Sequence, residues 1–201
     1  MHVARGSSGV SARVRRNIGW VAAALGLAGC VVGFALSPPD GAQGEAARLM
    51  YLHVPAAWTA YLAFAVVVAA AVGYLRSGNL LWDRYAGCAA EIGVVMTGLA
   101  IAVGSVWGRA VWGVWWAWDP RLVSTALLFL AYCAYLAIRR LDDDPHRNAR
   151  RSAVLGIAAF ALVPVVHFSV VWWRSLHQPA TLLNPSLHPP IDSVMMVALL
   201  L

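Results

Sequence analysis

Residues 56–75 read Ala56-Ala57-Trp58-Thr59-Ala60-Tyr61-Leu62-Ala63-Phe64-Ala65-Val66-Val67-Val68-Ala69-Ala70-Ala71-Val72-Gly73-Tyr74-Leu75, without a single charge. At about 1.5 Å of rise per residue, a helix of roughly 20 residues crosses the ~30 Å hydrocarbon layer of a bilayer. Lipid offers backbone N–H and C=O groups no partner, so such a run crosses as a helix. Four further runs share this character: Ile18–Leu36, Tyr85–Trp107, Leu122–Ile138 and Ala153–Trp173. A sixth, Val194–Leu201, is too short to cross and reads as a truncated last helix. The expected fold is all-α: a single membrane domain over residues 1–201, a polytopic helix bundle of five full spans and a partial sixth.

Composition agrees. The 201 residues are 61% hydrophobic and 12% charged, with mean hydropathy +0.68. Soluble domains carry about 25% charged residues. A soluble enzyme, a disordered chain and a secreted disulfide scaffold are excluded. The three cysteines, Cys30, Cys88 and Cys133, lie in apolar runs and form no CxxC pair, which leaves no zinc, thioredoxin-type or covalent cofactor-attachment motif.

The fifteen basic residues are all arginine, and their placement orients the bundle. Eleven lie in the N-terminal tail and in loops on one side: Arg5, Arg13, Arg15, Arg16, Arg76, Arg84, Arg139, Arg140, Arg147, Arg150 and Arg151. Arg48, Arg109, Arg121 and Arg174 fall on the other. The positive-inside rule then makes the N-terminus cytoplasmic. Ser37–Leu52, Gly108–Arg121 and Arg174–Asp192 become outer loops. The stretch Arg139–Arg151 reads as a solvated cytoplasmic loop, with a partner-docking surface as its second reading. Leu27-Ala28-Gly29-Cys30 resembles a lipoprotein signal, but the apolar run continues past Cys30, which favours a retained first span. Small residues spaced for close helix contact occur in the first span (Ala22, Gly26, Gly29, Gly33) and the third (Gly93, Thr97, Ala100, Gly104).

Five of the ten tryptophans, Trp107, Trp112, Trp115, Trp116 and Trp118, fall within twelve residues. Trp172 and Trp173 join them at the same membrane face. An interfacial belt is one reading, but a belt spreads tryptophans over both faces. The other is a built platform of large rigid rings, suited to a flat apolar ligand such as a porphyrin. His53, at the start of the second span, and His177, after the fifth, flank this loop. Each alone reads as an interfacial polar residue. Together they offer two imidazoles that could grip a haem iron from opposite faces.

His167 lies about 9 Å deeper along its span. Its default role is structural, with a gating role as the alternative. Glu91 is an intramembrane carboxylate without a partner evident in the sequence, and such a residue is a functional candidate. His2 and His146 read as solvated. Arg109, Arg121 and Arg174 are the bases available to clamp an acidic ligand group, with Arg121 preferred. Asp119 before Pro120 has the pattern of a helix N-cap followed by proline at the first helical position, or it pairs with Arg121.

At these residues the sequence resembles a known family. Trp112-Gly113-Val114-Trp115-Trp116-Ala117-Trp118-Asp119-Pro120-Arg121-Leu122 is similar to the tryptophan-rich "WWD" signature of haem-handling membrane proteins. Met50-Tyr51-Leu52-His53-Val54-Pro55-Ala56 and the segment from His167 to Gln178 resemble the flanking motifs of one branch. That branch is the haem exporter C family of bacterial cytochrome c maturation. The resemblance runs from about Met50 to His177 in the expected order. The usual Thr after Arg-Leu is Val123 here, and the family's complete sixth span is absent.

The resemblance implies an inner-membrane protein that holds non-covalent haem b in transit at its periplasmic face. His53 and His177 would be its axial ligands, the tryptophan loop its platform, and Arg121 with Asp119 its propionate and loop residues. Its implied partners are a periplasmic haem chaperone, an ABC-type ATPase, a second membrane subunit and a small one-span subunit. The chain carries no GxxxxGK[ST] phosphate loop, so ATP hydrolysis would belong to the separate ATPase, and the chain itself would not be an enzyme. The rival reading is an integral b-type cytochrome subunit, whose haems would sit within the bundle. A permease using Glu91 and His167 is a third, and it accounts for neither the tryptophan loop nor the histidine pair.

Overall fold

The computed structural model describes residues 12–41, 43–141, 143–177 and 193–200. Among them the helices are α1 (Ala12–Val31), α2 (Met50–Ser77), α3 (Leu80–Trp112), α4 (Pro120–Ile138), α5 (Pro145–Phe160), α6 (Leu162–Trp172) and α7 (Ser193–Leu200). A π-helical turn, Val32–Leu36, extends α1, and a 3-10 turn, Glu45–Leu49, leads into α2. Among the described residues five stretches are long and apolar enough to cross a membrane: Ala12–Leu36, Glu45–Ser77, Leu80–Trp112, Pro120–Ile138 and Pro145–Trp172. The all-α membrane bundle expected from sequence is what the chain forms.

Two compact units result, Met1–Pro38 with Asp192–Leu201, and Pro39–Ile191. In the first, α7 packs on α1 and its π-turn. Gly29 and Gly33 are buried there, as their small-residue spacing suggested, while Gly26 faces open space.

The second unit holds α2–α6 and is built on the α2–α3 hairpin. Gly78 turns the chain at φ 66°, a left-handed conformation that glycine adopts without penalty, and its N–H closes on Tyr74 O at 2.7 Å. Asn79 then caps α3, its side chain accepting from the Leu81 N–H at 2.9 Å. The two helices approach closely because α3 is small where they touch. A Cβ on Gly93 would overlap the Phe64 ring. Phe64 in turn stacks on Tyr132 of α4, with centroids 3.7 Å apart. Phe64, Val67, Tyr132 and Tyr135 are fully buried and form the core.

At the end bearing Arg76 and Arg147, Arg139 grips Asp83, Nη2 to Oδ2 2.7 Å, beneath the Tyr135 ring. This anchors α4 to α3 with a bidentate pair. The expected solvated loop over Arg139–Arg151 is therefore corrected. Arg139 is tied to α3, and a helix begins at Pro145, capped by Asp144, which accepts from His146 N–H at 2.9 Å. That helix continues as α6 after a break at Ala161. Pro164 lacks the N–H that would reach the Phe160 carbonyl, which explains the interruption.

The opposite end gathers the start of α2, the end of α3, the start of α4 and the end of α6. Here too a boundary moves. α3 runs through Trp112 to a C-cap at Gly113, φ 78°, so the link to α4 is residues 113–119 and not the Gly108–Arg121 expected from hydropathy. Polar and aromatic residues beyond the apolar run stay helical because the cap, not the hydropathy, ends the helix.

Candidate functional site

His53 lies in the first turn of α2, pressed into α3. Its Nδ1 is 2.8 Å from the Ala100 carbonyl oxygen. A carbonyl only accepts, so Nδ1 carries the proton and donates, leaving the Nε2 lone pair free. The ring fits because Gly104 has no side chain: a Cβ there would lie 2.9 Å from His53 Cε1. Pro55 follows within the helix and brings no N–H to that turn.

His177 is held differently, on the non-helical segment after α6, by Asp119. The Asp119 carboxylate caps α4 through the Arg121 N–H at 2.9 Å, and Pro120 takes the first helical position. The same carboxylate accepts from Leu176 N–H at 2.7 Å and from the Ser175 hydroxyl at 3.1 Å. His177 Nδ1 lies 3.7 Å from Asp119 Oδ1, too far for a hydrogen bond. Trp112 and Trp107 pack on the imidazole, with ring centroids at 5.0 and 6.0 Å. Trp107 is itself fixed, donating from Nε1 to Gln43 Oε1 at 3.1 Å.

The electrostatics match this packing. Burial, then the Arg121 charge, pushes His177 down to about 4, against the opposing pull of Asp119, so the imidazole is neutral at physiological pH. For Asp119 burial acts upward, but the hydrogen bonds from Leu176, Ser175 and Arg121 outweigh it and hold the carboxyl below its ordinary range.

Both histidines line one partly open cleft with a cavity volume of about 100 Å³. His53, His177, Arg121, Trp116, Tyr61 and Gly104 are among its lining residues. Arg121 donates from Nη2 to the His167 carbonyl at 2.7 Å, while its buried Nε has no partner. A buried guanidinium with an unused donor beside a cavity can donate a hydrogen bond to an acceptor placed there.

The seven tryptophans divide. Trp116 lines the cleft, Trp107 and Trp112 brace His177, and Trp115, Trp118, Trp172 and Trp173 are exposed, Trp118 at 86%. They do not make one flat platform. Of the other arginines, Arg109 is exposed and closes the α3 end by donating to the Gly113 carbonyl, and Arg174 borders a shallow surface depression with Asp119 and Leu176. The His167 ring sits among Trp58, Tyr61 and Phe168, so it packs while its carbonyl positions Arg121. His146 is exposed, and its carbonyl accepts from the Tyr74 hydroxyl at 2.8 Å. Glu91 is exposed on α3, away from the cleft. His2 and the tail of the last outer loop, 178–192, lie outside the described residues.

Sequence reasoning missed Ala100, Tyr61, Gln43 and Ser175 as parts of the site. Gly104 stood in a readable small-residue stripe, but the stripe pointed to helix packing.

A family model described as Heme exporter protein C matches residues 4–201. The Heme exporter protein C of Bradyrhizobium diazoefficiens is 42% identical over 171 residues, covering 84% of this chain and 65% of the relative. That of Escherichia coli K12 is 35% identical over 192 residues, 90% of this chain and 77% of its own. That of Haemophilus influenzae is 36% identical over 179 residues, 86% and 70%. The chain thus spans a little under two thirds of the Bradyrhizobium protein. With a family match that takes in the whole cleft and both histidines, the chain belongs to the heme exporter protein C family.

Proposed function

We propose that this chain binds haem b non-covalently in the cleft, with His53 and His177 as axial ligands, and passes it to a periplasmic haem chaperone during c-type cytochrome biogenesis. The observation that carries the reading is one cleft lined by both histidines and by Arg121 with its unpartnered Nε. The donor set suits haem. Porphyrin supplies four ligands to iron, so two neutral imidazoles complete the sphere. Among the described residues no three His, Cys, Asp or Glu side chains converge as a bare metal ion would need. Arg121 takes a propionate and Trp116 lies against the macrocycle. Asp119, Trp107 and Trp112 position His177. The exposed Trp115, Trp118, Trp172 and Trp173 form the apolar rim over which haem leaves.

In this reading the chain sits in the bacterial inner membrane with the cleft at the periplasmic side and the arginine-rich end in the cytoplasm. It is a binding and transfer component, not an enzyme. An ABC-type ATPase, a second membrane subunit and a small one-span subunit are its partners. The test is the visible and EPR spectrum of the purified pigment. His53→Ala and His177→Ala each remove the low-spin bis-imidazole signature. Wild-type haem content and ligation in both single variants would overturn the assignment. Arg121→Ala lowers haem retention about tenfold with the axial signature kept, the effect of losing one charge-assisted hydrogen bond.

A further inference from the structure

α3 has two faces. Toward the bundle it buries Ala86, Ala90, Gly93, Thr97, Ala100 and Trp107. On the other side Leu81, Tyr85, Cys88, Ile92, Val95, Leu99, Ala102 and Val106 are exposed, at alternating intervals of four and three residues. That is the 3.5-residue seam along which one helix packs on another. Aliphatic side chains on such a seam are at ease in lipid and by themselves call for no partner. Glu91 is different. It is exposed beside the seam, next to Ile92 and one turn after Cys88. It lies six residues inside the span that begins at Tyr85, about 9 Å into a hydrocarbon layer of ~30 Å.

A carboxylate at that depth faces a bundle interior, a water-filled cavity or a counter-group. Glu91 faces away from its own bundle and from the cleft. Among the described residues it has no hydrogen bond or ion pair. Neither α1 beyond Arg16, with its π-turn, nor α7 carries a charged side chain, so these helices hold no counterpart for it. A second copy of this chain does not supply one either. A two-fold pair through this face sets Glu91 against Glu91 at one depth, which is like-charge repulsion.

We propose that the exposed seam of α3 is the docking face for one transmembrane helix of a different membrane protein, which presents a basic side chain to Glu91. A buried carboxylate and base exclude lipid and hold each other, and the 3.5-residue seam gives the helices a shared register. The inference deepens the partner assignment above by naming the face and its chemistry, and it does not depend on haem in the cleft.

Cys88 provides the test, since it is exposed one turn from Glu91 on the same face. In a Cys30→Ser, Cys133→Ser background, a benzophenone maleimide on Cys88 is photoactivated in membranes of the native host and the adduct is mapped by mass spectrometry. A second probe at Val95→Cys repeats the experiment two turns on, one turn past Glu91. The expected product is a cross-link to another membrane protein whose linked helix carries Arg or Lys within one turn of the linked residue. Glu91→Leu, a lipid-compatible change that leaves the cleft untouched, cuts adduct yield at least tenfold. Glu91→Lys abolishes it, and exchanging the partner's base for Glu restores it. Haem content of the same variants stays at wild type, which separates this outcome from failure of the cleft assignment. The proposal is overturned by adducts to a second copy, to the chain itself or to a helix without a base at that depth. Unchanged yield in Glu91→Leu overturns it, as does the absence of any adduct from both probes.

Discussion

The two histidines that line the cleft are held by unlike means. His53 stands on the rigid side: its helix packs along the length of α3, its Nδ1–H is spent on the Ala100 carbonyl, and its ring fills the notch at Gly104. His177 stands on a segment without helix, tethered through Ser175 and Leu176 to one carboxylate. One imidazole is therefore fixed by backbone and shape, the other by a polar hub. If the cleft takes up and releases a large flat ligand as proposed above, the His177 segment is the wall that would cost only a few hydrogen bonds to open, and the His53 wall the one that would cost helix packing.

The largest expected effect comes from removing the hub. Asp119→Ala deletes the α4 cap, worth about 1 kcal/mol, and strands the Leu176 N–H and Ser175 hydroxyl that a charged acceptor held. A total loss of about 2–4 kcal/mol follows, read as a lowered midpoint of thermal unfolding in detergent. The same variant frees His177 while leaving His53 in place, so bound haem shifts from two-imidazole to one-imidazole ligation. Equal disturbance of both histidines would erase the contrast between the walls. Asp119→Asn keeps the cap and an acceptor and falls between wild type and Ala.

A smaller effect in stability, but a sharp one in ligation, follows from filling the notch. In Gly104→Ala the new Cβ would meet His53 Cε1 at 2.9 Å and force the ring off the Ala100 carbonyl. Overpacking costs about 1–3 kcal/mol, and the gain in helix propensity of Ala over Gly returns roughly 1 kcal/mol. The unfolding midpoint therefore moves little, while the spectrum loses the His53 contribution. An unchanged spectrum would show that the notch does not position the ring.

Much of this was legible in the sequence. The spans follow from hydropathy because lipid forces helix on any long apolar run. The histidine pair was legible because the start of the second span and the end of the fifth fall on the same side of the bundle. Asp119-Pro120 announces its cap, and Asp144-Pro145 carries the same signature. The second was passed over because it lies outside the apolar run, among charges that read as a loop. What composition cannot encode is direction. Residues 113–119 are not helical, so no 3.6-residue period assigns Trp115, Trp116 and Trp118 to inner or outer faces, and only Trp116 turns inward. Nor does a sequence reveal that the acceptor for His53 is a main-chain carbonyl, since every residue has one.

The smallest effect is the most selective. His177 in the folded protein titrates near 4, below the ordinary value of 6.5. A group whose pKa is depressed on folding contributes stability above its unfolded pKa and loses it as pH falls through the folded value. The His177 contribution is thus intact above pH 6.5 and declines progressively toward pH 4. Asp119, held below the carboxylate range, adds a further loss at still lower pH. Unfolding midpoints of the haem-free protein, measured from pH 7.5 to 4, should fall across this window, and His177→Gln should flatten the decline between 6.5 and 4. The rigid wall offers a control within the same molecule. Gly104→Ala leaves Asp119 and the His177 segment intact, so the part of the decline that His177→Gln removes should persist in it. A profile flattened as strongly by Gly104→Ala as by His177→Gln would mean that the two walls are one cooperative unit rather than a fixed side and a movable one.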